Sequence, residues 1–304
     1  MTGGCGGGPG RGALIAALVA LSGALVALTA RPPAPAEPSR CEPPWRPAGA
    51  RCCAPGQAAG PGGECLGEPT ECPPTHAPFA GGCLPREARV EFAGGLLSLR
   101  PSDWEADGAV EPRAAPVGPF ALDRFEASVG RYAACVARGA CPGPVPPGDP
   151  SRAALVSLEQ AGALCAAEGG RLPLDDEWSW AASGPSSRRY PWGETGAVCR
   201  RAAFGLVEGP CAWGATGPDT VGARPAGATP EGLFDLAGNA PEWALGAGGR
   251  PRVRGGSFAS RLAAELRSWR GAEAPGGAAG GRAGVRCAYS ISSNVENAPR
   301  PDLR

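Results

Sequence analysis

Gly232-Leu-Phe-Asp-Leu-Ala-Gly-Asn-Ala-Pro-Glu-Trp243 is polar where a core segment would be apolar, and Arg252-Val-Arg-Gly-Gly-Ser-Phe258 follows it closely. Asp235 and Glu242 supply carboxylates, and Gly238, Asn239 and Ala240 form a tight turn between them. Two carboxylates and the carbonyls of such a turn are the donors that a hard cation such as calcium takes, although the spacing is not that of an EF-hand loop. The simpler reading is a turn whose Asp and Glu bond its own backbone. The residues alone leave both open.

Composition narrows the class. The chain has 304 residues and a net charge of zero, so nothing in it points to nucleic acid. Every basic residue is Arg. Gly and Pro, 49 and 36 residues, would suggest disorder, but eight Trp and 13 Cys argue for a packed and cross-linked chain. The single His, His76, leaves no His-based catalytic triad and no multi-His metal site, and it reads as a surface residue. After Cys5 the cysteines fall into two sets of six, Cys41 to Cys83 and Cys135 to Cys287, and such numbers read as disulfides in an oxidising compartment.

Taken in order, residues 1–12 are a Gly-rich tail, and residues 13–30 are an uncharged apolar run. At about 1.5 Å per residue that run reaches about 27 Å, so it predicts a signal anchor, with a cleaved signal peptide as the alternative. The bulk is thus expected outside the cytoplasm, tethered to the membrane or, after cleavage, secreted or periplasmic. Residues 31–40 are a Pro-rich spacer. Residues 41–85 hold six cysteines and almost no apolar core, so disulfides must fold this small module, and the sequence does not choose among the fifteen pairings.

Strand-like alternation begins at Val90–Leu99, and a main domain is expected over 88–290, with a loose tail at 291–304. Phe120–Glu126 predicts a strand. Ser128–Arg138 predicts a helix capped by Gly139, and Cys135 and Cys141 are near enough to close a small loop. Ser157-Leu-Glu-Gln160 is a capping box opening a second helix, which Gly169-Gly170 ends. A third helix begins within Leu172–Trp180, and Cys199 and Cys211 bracket an irregular loop and are expected to pair.

The phrases GLFDLAGNAPEW and RVRGGSF, then Ala283-Gly-Val-Arg-Cys287, resemble the C-terminal half of the formylglycine-generating enzyme (sulfatase-modifying factor) family. Gly170-Arg-Leu-Pro-Leu-Asp-Asp-Glu-Trp178 and Tyr190-Pro-Trp-Gly193 stand upstream in the family's order. The resemblance implies an α+β fold, a loop-rich variant of the C-type lectin fold. It also implies a disulfide between Cys165 and Cys287. It implies one structural calcium held by Asp235, Glu242 and the carbonyls of Gly238 and Ala240. A second family calcium would need an Asn where Ala203 stands, and is not expected. The family usually places a Thr where Leu174 stands; Asp175 and Asp176 would compensate through the helix dipole.

Active members of that family oxidise a substrate cysteine using copper held by two cysteines. Counted from Gly255-Gly-Ser-Phe258, those positions are Ser260 and Glu265. Copper(I) prefers soft sulfur, so no copper is expected. An iron-dependent branch relies on histidines that this chain lacks. Arg261, Glu265, Arg267 and Arg270 then read either as a site for an anionic or peptide ligand or as a solvated face. The expectation is an exported pseudoenzyme that binds a protein, peptide or glycan. The alternative is a formylglycine-generating oxidase, or another oxidation, with a displaced thiol pair.

Overall fold

The computed structural model describes residues 41, 43, 45–49, 51–61, 65–67, 69–72, 76–79, 82–85, 88–100, 112–274 and 281–291. The expected anchor at 13–30, the spacer at 31–40 and nearly all of the tail lie outside them. Among the described residues no helix is long and apolar enough to cross a membrane.

The cysteine-rich segment consists of three short antiparallel hairpins. They are β1 (Arg46–Ala48) with β2 (Arg51–Cys53), β3 (Ala58–Ala59) with β4 (Cys65–Leu66), and β5 (His76–Phe79) with β6 (Gly82–Pro85). Cys41 bonds Cys52 and Cys53 bonds Cys65, and Cys72 is also in a disulfide. Adjacent Cys52 and Cys53 thus staple two different loops. The amide of Cys52 donates to Ala223 O at 3.3 Å, so this segment touches the main body of the chain.

The alternation at Val90–Leu99 resolves into two strands, β7 (Arg89–Phe92) and β8 (Gly95–Leu99), split at Ala93–Gly94. β8 pairs with β9 (Arg113–Val117). β7 pairs with β10 (Phe120–Asp123), which is shorter than the predicted 120–126 strand. Three helices follow, α1 (Val129–Ala137), α2 (Leu158–Ala167) and α3 (Asp175–Ser183). The Ser128 hydroxyl accepts from Arg131 N and caps α1, and the box predicted at Ser157 and Gln160 caps α2 with both of its hydrogen bonds. α3 begins at Asp175 behind Leu174, which offers no capping oxygen, and Glu177 reaches back to accept from Leu174 N at 2.8 Å. The chain closes with the sheet β11 (Glu242–Leu245), β12 (Pro251–Arg254) and β13 (Gly271–Glu273), and with β14 (Ala288–Ser290), which pairs with β10.

Two apolar clusters hold this loop-rich body. One packs Phe92, Leu97, Phe120, Leu122, Trp178 and Leu236; the other packs Tyr132, Val156, Leu164, Trp243 and Val285. The disulfide Cys165–Cys287, spanning 122 residues, runs through the second cluster and ties α2 to the last strand. Beside it Asp123 Oδ2 accepts from Arg131 (2.8 Å) and from Cys287 N (3.0 Å), while Arg131 also grips Glu168. Cys135–Cys141 and Cys199–Cys211 close smaller loops. Bonds of this number belong to an oxidising, extracytoplasmic environment. Replacing both Cys165 and Cys287 with Ala is expected to lower unfolding free energy by about 3–5 kcal/mol, because the bond restrains a long loop of the unfolded chain; urea unfolding of the variant checks it.

Candidate functional site

Three buried carboxylates, Glu126, Asp235 and Glu242, face one buried guanidinium, Arg286. Glu242 begins β11, and Arg286 stands between Val285 and Cys287 just ahead of β14. Arg286 Nη2 meets Glu242 Oε1 at 2.7 Å, and its Nε reaches both carboxylate oxygens at 3.2 and 3.1 Å. The rest of the guanidinium donates to Asp123 O (2.8 Å) and Phe234 O (2.7 Å). Glu242 Oε2 also accepts from Trp178 Nε1 at 2.7 Å.

Asp235 is in the left-handed region, at φ 61°, and accepts from Gly222 N at 2.6 Å. Burial pushes its carboxyl up to about 6, against the pull of the Gly222 amide and of Arg286 and Arg224. Glu126 accepts from Ala240 N at 3.0 Å and from the Asn239 side chain. Burial, with Asp235 and Glu242 nearby, holds its carboxyl well above the usual range. Asn239 Oδ1 in turn accepts from Asp219 N at 2.6 Å. Gly238 is forced by its surroundings: at φ 86° a Cβ would lie 2.4 Å from Ala203 O.

The predicted calcium donors therefore stand in different situations. The lone pairs of Glu242 are taken by Arg286 and Trp178, so this carboxylate does not fit a shared metal. Asp235 accepts from Gly222 N, and the turn that follows it carries the Gly238 and Ala240 carbonyls, oxygens of the chemical kind that a hard cation takes. Among the described residues only Asp123, Glu168 and Cys287 bring three ligand-type atoms within 4.8 Å of one another. That trio is no metal centre, since Arg131 bridges both carboxylates and the sulfur is in a disulfide.

The second candidate site follows the Gly255-Gly-Ser-Phe258 motif in the chain. Ser260 Oγ accepts from Ser257 N at 3.1 Å. Glu265 Oε2 accepts from the amides of Arg261 and Leu262, both at 2.8 Å, and so caps the short 3-10 turn Ala263–Leu266. Between them a Cβ on Gly256 (φ 71°) would lie 2.9 Å from Glu265 O and 3.2 Å from Ser260 Oγ. The charges predicted to cluster here disperse. Arg261 points out to Glu208, Arg267 is buried with its guanidinium 5.7 Å from the Trp269 ring, and Arg270 is exposed. All six cysteines between 88 and 291 are in disulfides, Cys135–Cys141, Cys165–Cys287 and Cys199–Cys211.

Glu126, Arg286 and the Trp178 indole were not singled out as site residues from the sequence. One signal was present: Arg286 is a charge inside the otherwise apolar run Val285–Tyr289. Replacing Arg286 with Met would strand Glu242 without its partner, so a loss of about 3–5 kcal/mol is expected. The double variant Arg286→Met with Glu242→Gln is expected to recover part of it, as read by urea denaturation.

Over 94 residues the chain is 39% identical to "Inactive C-alpha-formylglycine-generating enzyme 2" of Mus musculus, covering 29% of this chain and 30% of that protein. Over 103 residues it is 34% identical to the hercynine oxygenase of Mycolicibacterium thermoresistibile, covering 33% of this chain and 21% of that one. The chain thus matches under a third of the length of either relative. Two solved structures share the fold. PvdO from Pseudomonas aeruginosa has a TM-score of 0.54 at 18% identity, covering 67% of this chain and 94% of that one. The Treponema denticola variable protein 1 has a TM-score of 0.52 at 17% identity, covering 66% and 94%. Residues 83–291, more than half of the chain, match the sulfatase-modifying factor enzyme 1-like domain, and the chain belongs to that family.

Proposed function

We propose that this chain is a non-catalytic member of its family, an exported binding module built on the loop-rich, C-type-lectin-like variant of the fold. The observation that carries the reading is the state of Ser260 and Glu265. Both side chains accept hydrogen bonds from their own turn where copper thiolates would have to stand, and every cysteine between 88 and 291 is already bonded. A hydroxyl and a carboxylate are hard donors that hold copper(I) poorly. The relative described as an inactive formylglycine-generating enzyme supports this reading. The relative described as an oxygenase keeps oxidation in view as the outcome to test for.

The surface around the capped turn suits a polypeptide. Leu262 is 65% exposed and Val207 45%, and these residues stand next to the exposed ion pair of Arg261 with Glu208. The 205–208 segment is fastened to the motif by Gly205 N to Ser260 O (2.6 Å) and Leu206 N to Phe258 O (2.8 Å). Exposed apolar side chains on a braced loop form a surface for an apolar residue of a partner. Two readouts test the proposal. Mass spectrometry of a cysteine peptide incubated with the protein, copper and oxygen should show no formylglycine, and catalytic conversion would overturn the reading. Capture of envelope proteins by the purified chain should be lost in Leu262→Asp with its melting temperature kept; capture that ignores this change would place the binding surface elsewhere.

Calcium belongs to the same proposal, as a structural ion at Asp235 with the carbonyls of Gly238 and Ala240, while Glu242 serves Arg286. Three buried carboxyl groups, Glu126, Asp235 and Glu242, gathered around Arg286 support it, since a bound cation would favour their charged forms. An ion that binds only the folded state at 100 times its Kd adds about 2.7 kcal/mol, so melting should rise by about 5 °C or more. Asp235→Ala should abolish the rise, and equal melting temperatures in calcium and in chelator would refute the site.

A further inference from the structure

A cleft of about 520 Å³ shares no lining residue with either site just described. Its size falls in the range of small-molecule pockets. Arg113 on β9, Asp175 at the start of α3, Arg250 just ahead of β12, Arg252 on β12 and Glu273 on β13 supply its charged lining. The floor is the buried Asp175, already engaged from behind by Arg254, whose Nε donates to Oδ1 at 2.6 Å and whose Nη2 donates to Oδ2 at 2.5 Å. Burial raises the carboxyl of Asp175, but Arg254, with Arg252 and Arg113, outweighs it and holds the group below its usual value.

One carboxylate thus serves three guanidinia. Arg113 Nη2 lies 3.0 Å from Asp175 and 2.7 Å from the half-exposed Asp176. Arg252 Nε stands 3.4 Å from Asp175 Oδ1 without a hydrogen bond, and it is shielded from water. About a third of the Arg252 side chain, 32%, is nevertheless exposed, and Arg252 lines the cleft, so the guanidinium is held by Asp175 on one side and open on another. Arg250 is exposed at the mouth. Four Arg face three acids, counting Arg254 and Asp176, and the third acid, Glu273, is exposed at the rim opposite Arg252 in the strand register.

We propose that this cleft binds an oxyanion group, a carboxylate or a sulfate on a small ligand, through Arg252 and Arg250 with Arg113 beside them. Guanidinium forks match such oxygens in pairs, as Arg254 and Asp175 show within the same wall. Glu273 at the rim disfavours ligands that carry negative charge at the far end as well. This site is independent of the binding surface at Leu262 and of catalysis.

The test is calorimetric titration of the full chain at low salt with N-acetyl-aspartyl-aspartate amide, the peptide source, and with glucose 6-sulfate, the sugar source; glucose is the neutral blank. At least one anionic probe should bind saturably while glucose does not, and whichever binds names the source. Arg252→Ala and Arg250→Ala should each weaken that binding about tenfold, the value of one charge-assisted contact. No saturable binding of either anion, or affinity unchanged in both variants, would overturn the proposal. Arg250 is a surface residue, so if Arg252→Ala fails to fold, unchanged affinity in Arg250→Ala alone has the same force.

Discussion

The fold depends on a buried ion pair, Arg286 with Glu242. Taking either charge out of water costs several kcal/mol, and that cost is offset by the hydrogen bonds that the guanidinium and the carboxylate make with each other, with Trp178 and with two backbone carbonyls. Arg286 holds Glu242 with two nitrogens and satisfies the carbonyls of Asp123 and Phe234, which lie 163 and 52 residues away in sequence. Trp178 adds α3 to the same carboxylate. One guanidinium therefore joins the sheet of β7, β10 and β14, the polar turn of 232–243, β11 and the third helix. Among the described residues no run of regular structure is long enough to hold those segments in register by itself.

Around that pair the chain solves a problem common to loop-rich folds, which is to satisfy backbone groups without ladders. Side chains do much of the work. Asp235 takes the amide of Gly222, Asn239 takes that of Asp219, Glu126 takes that of Ala240 and Asp123 takes that of Cys287. The disulfides act on the same segments. Cys165–Cys287 sits beside the network of Asp123, Arg131, Glu168 and Tyr289, so covalent and ionic constraints meet at the junction of α1, α2 and β14.

The scaffold keeps the shape of its family, and Ser260 and Glu265, expected from the resemblance to stand at the family's reactive positions, bond their own turn. Glu265 spends its carboxylate on the amides of its own turn, and Ser260 does the same with its hydroxyl. A fold does not carry an activity with it; the site does. Two accessible features of the described residues are the exposed Leu262 and Val207 and the arginine-lined cleft between β12 and α3.

The sequence by itself determined the features that depend on neighbours along the chain. The capping box at Ser157, the ordered motifs from Gly170 to Cys287, the short loops closed by Cys135–Cys141 and Cys199–Cys211, and the absence of thiols at Ser260 and Glu265 were all legible, because each is a matter of spacing or residue identity. Glu242 was legible as a carboxylate but not as the partner of Arg286, and Asp175 was read as a helix-dipole residue although it is the floor of a cleft gripped by Arg254. Glu126 went unread, since its role is set by Asn239 and Ala240, 113 and 114 residues away. Only the tertiary structure decided these assignments. The cost of a buried charge is settled by whichever group the fold brings within about 3 Å, and sequence spacing carries no information about contacts across that separation.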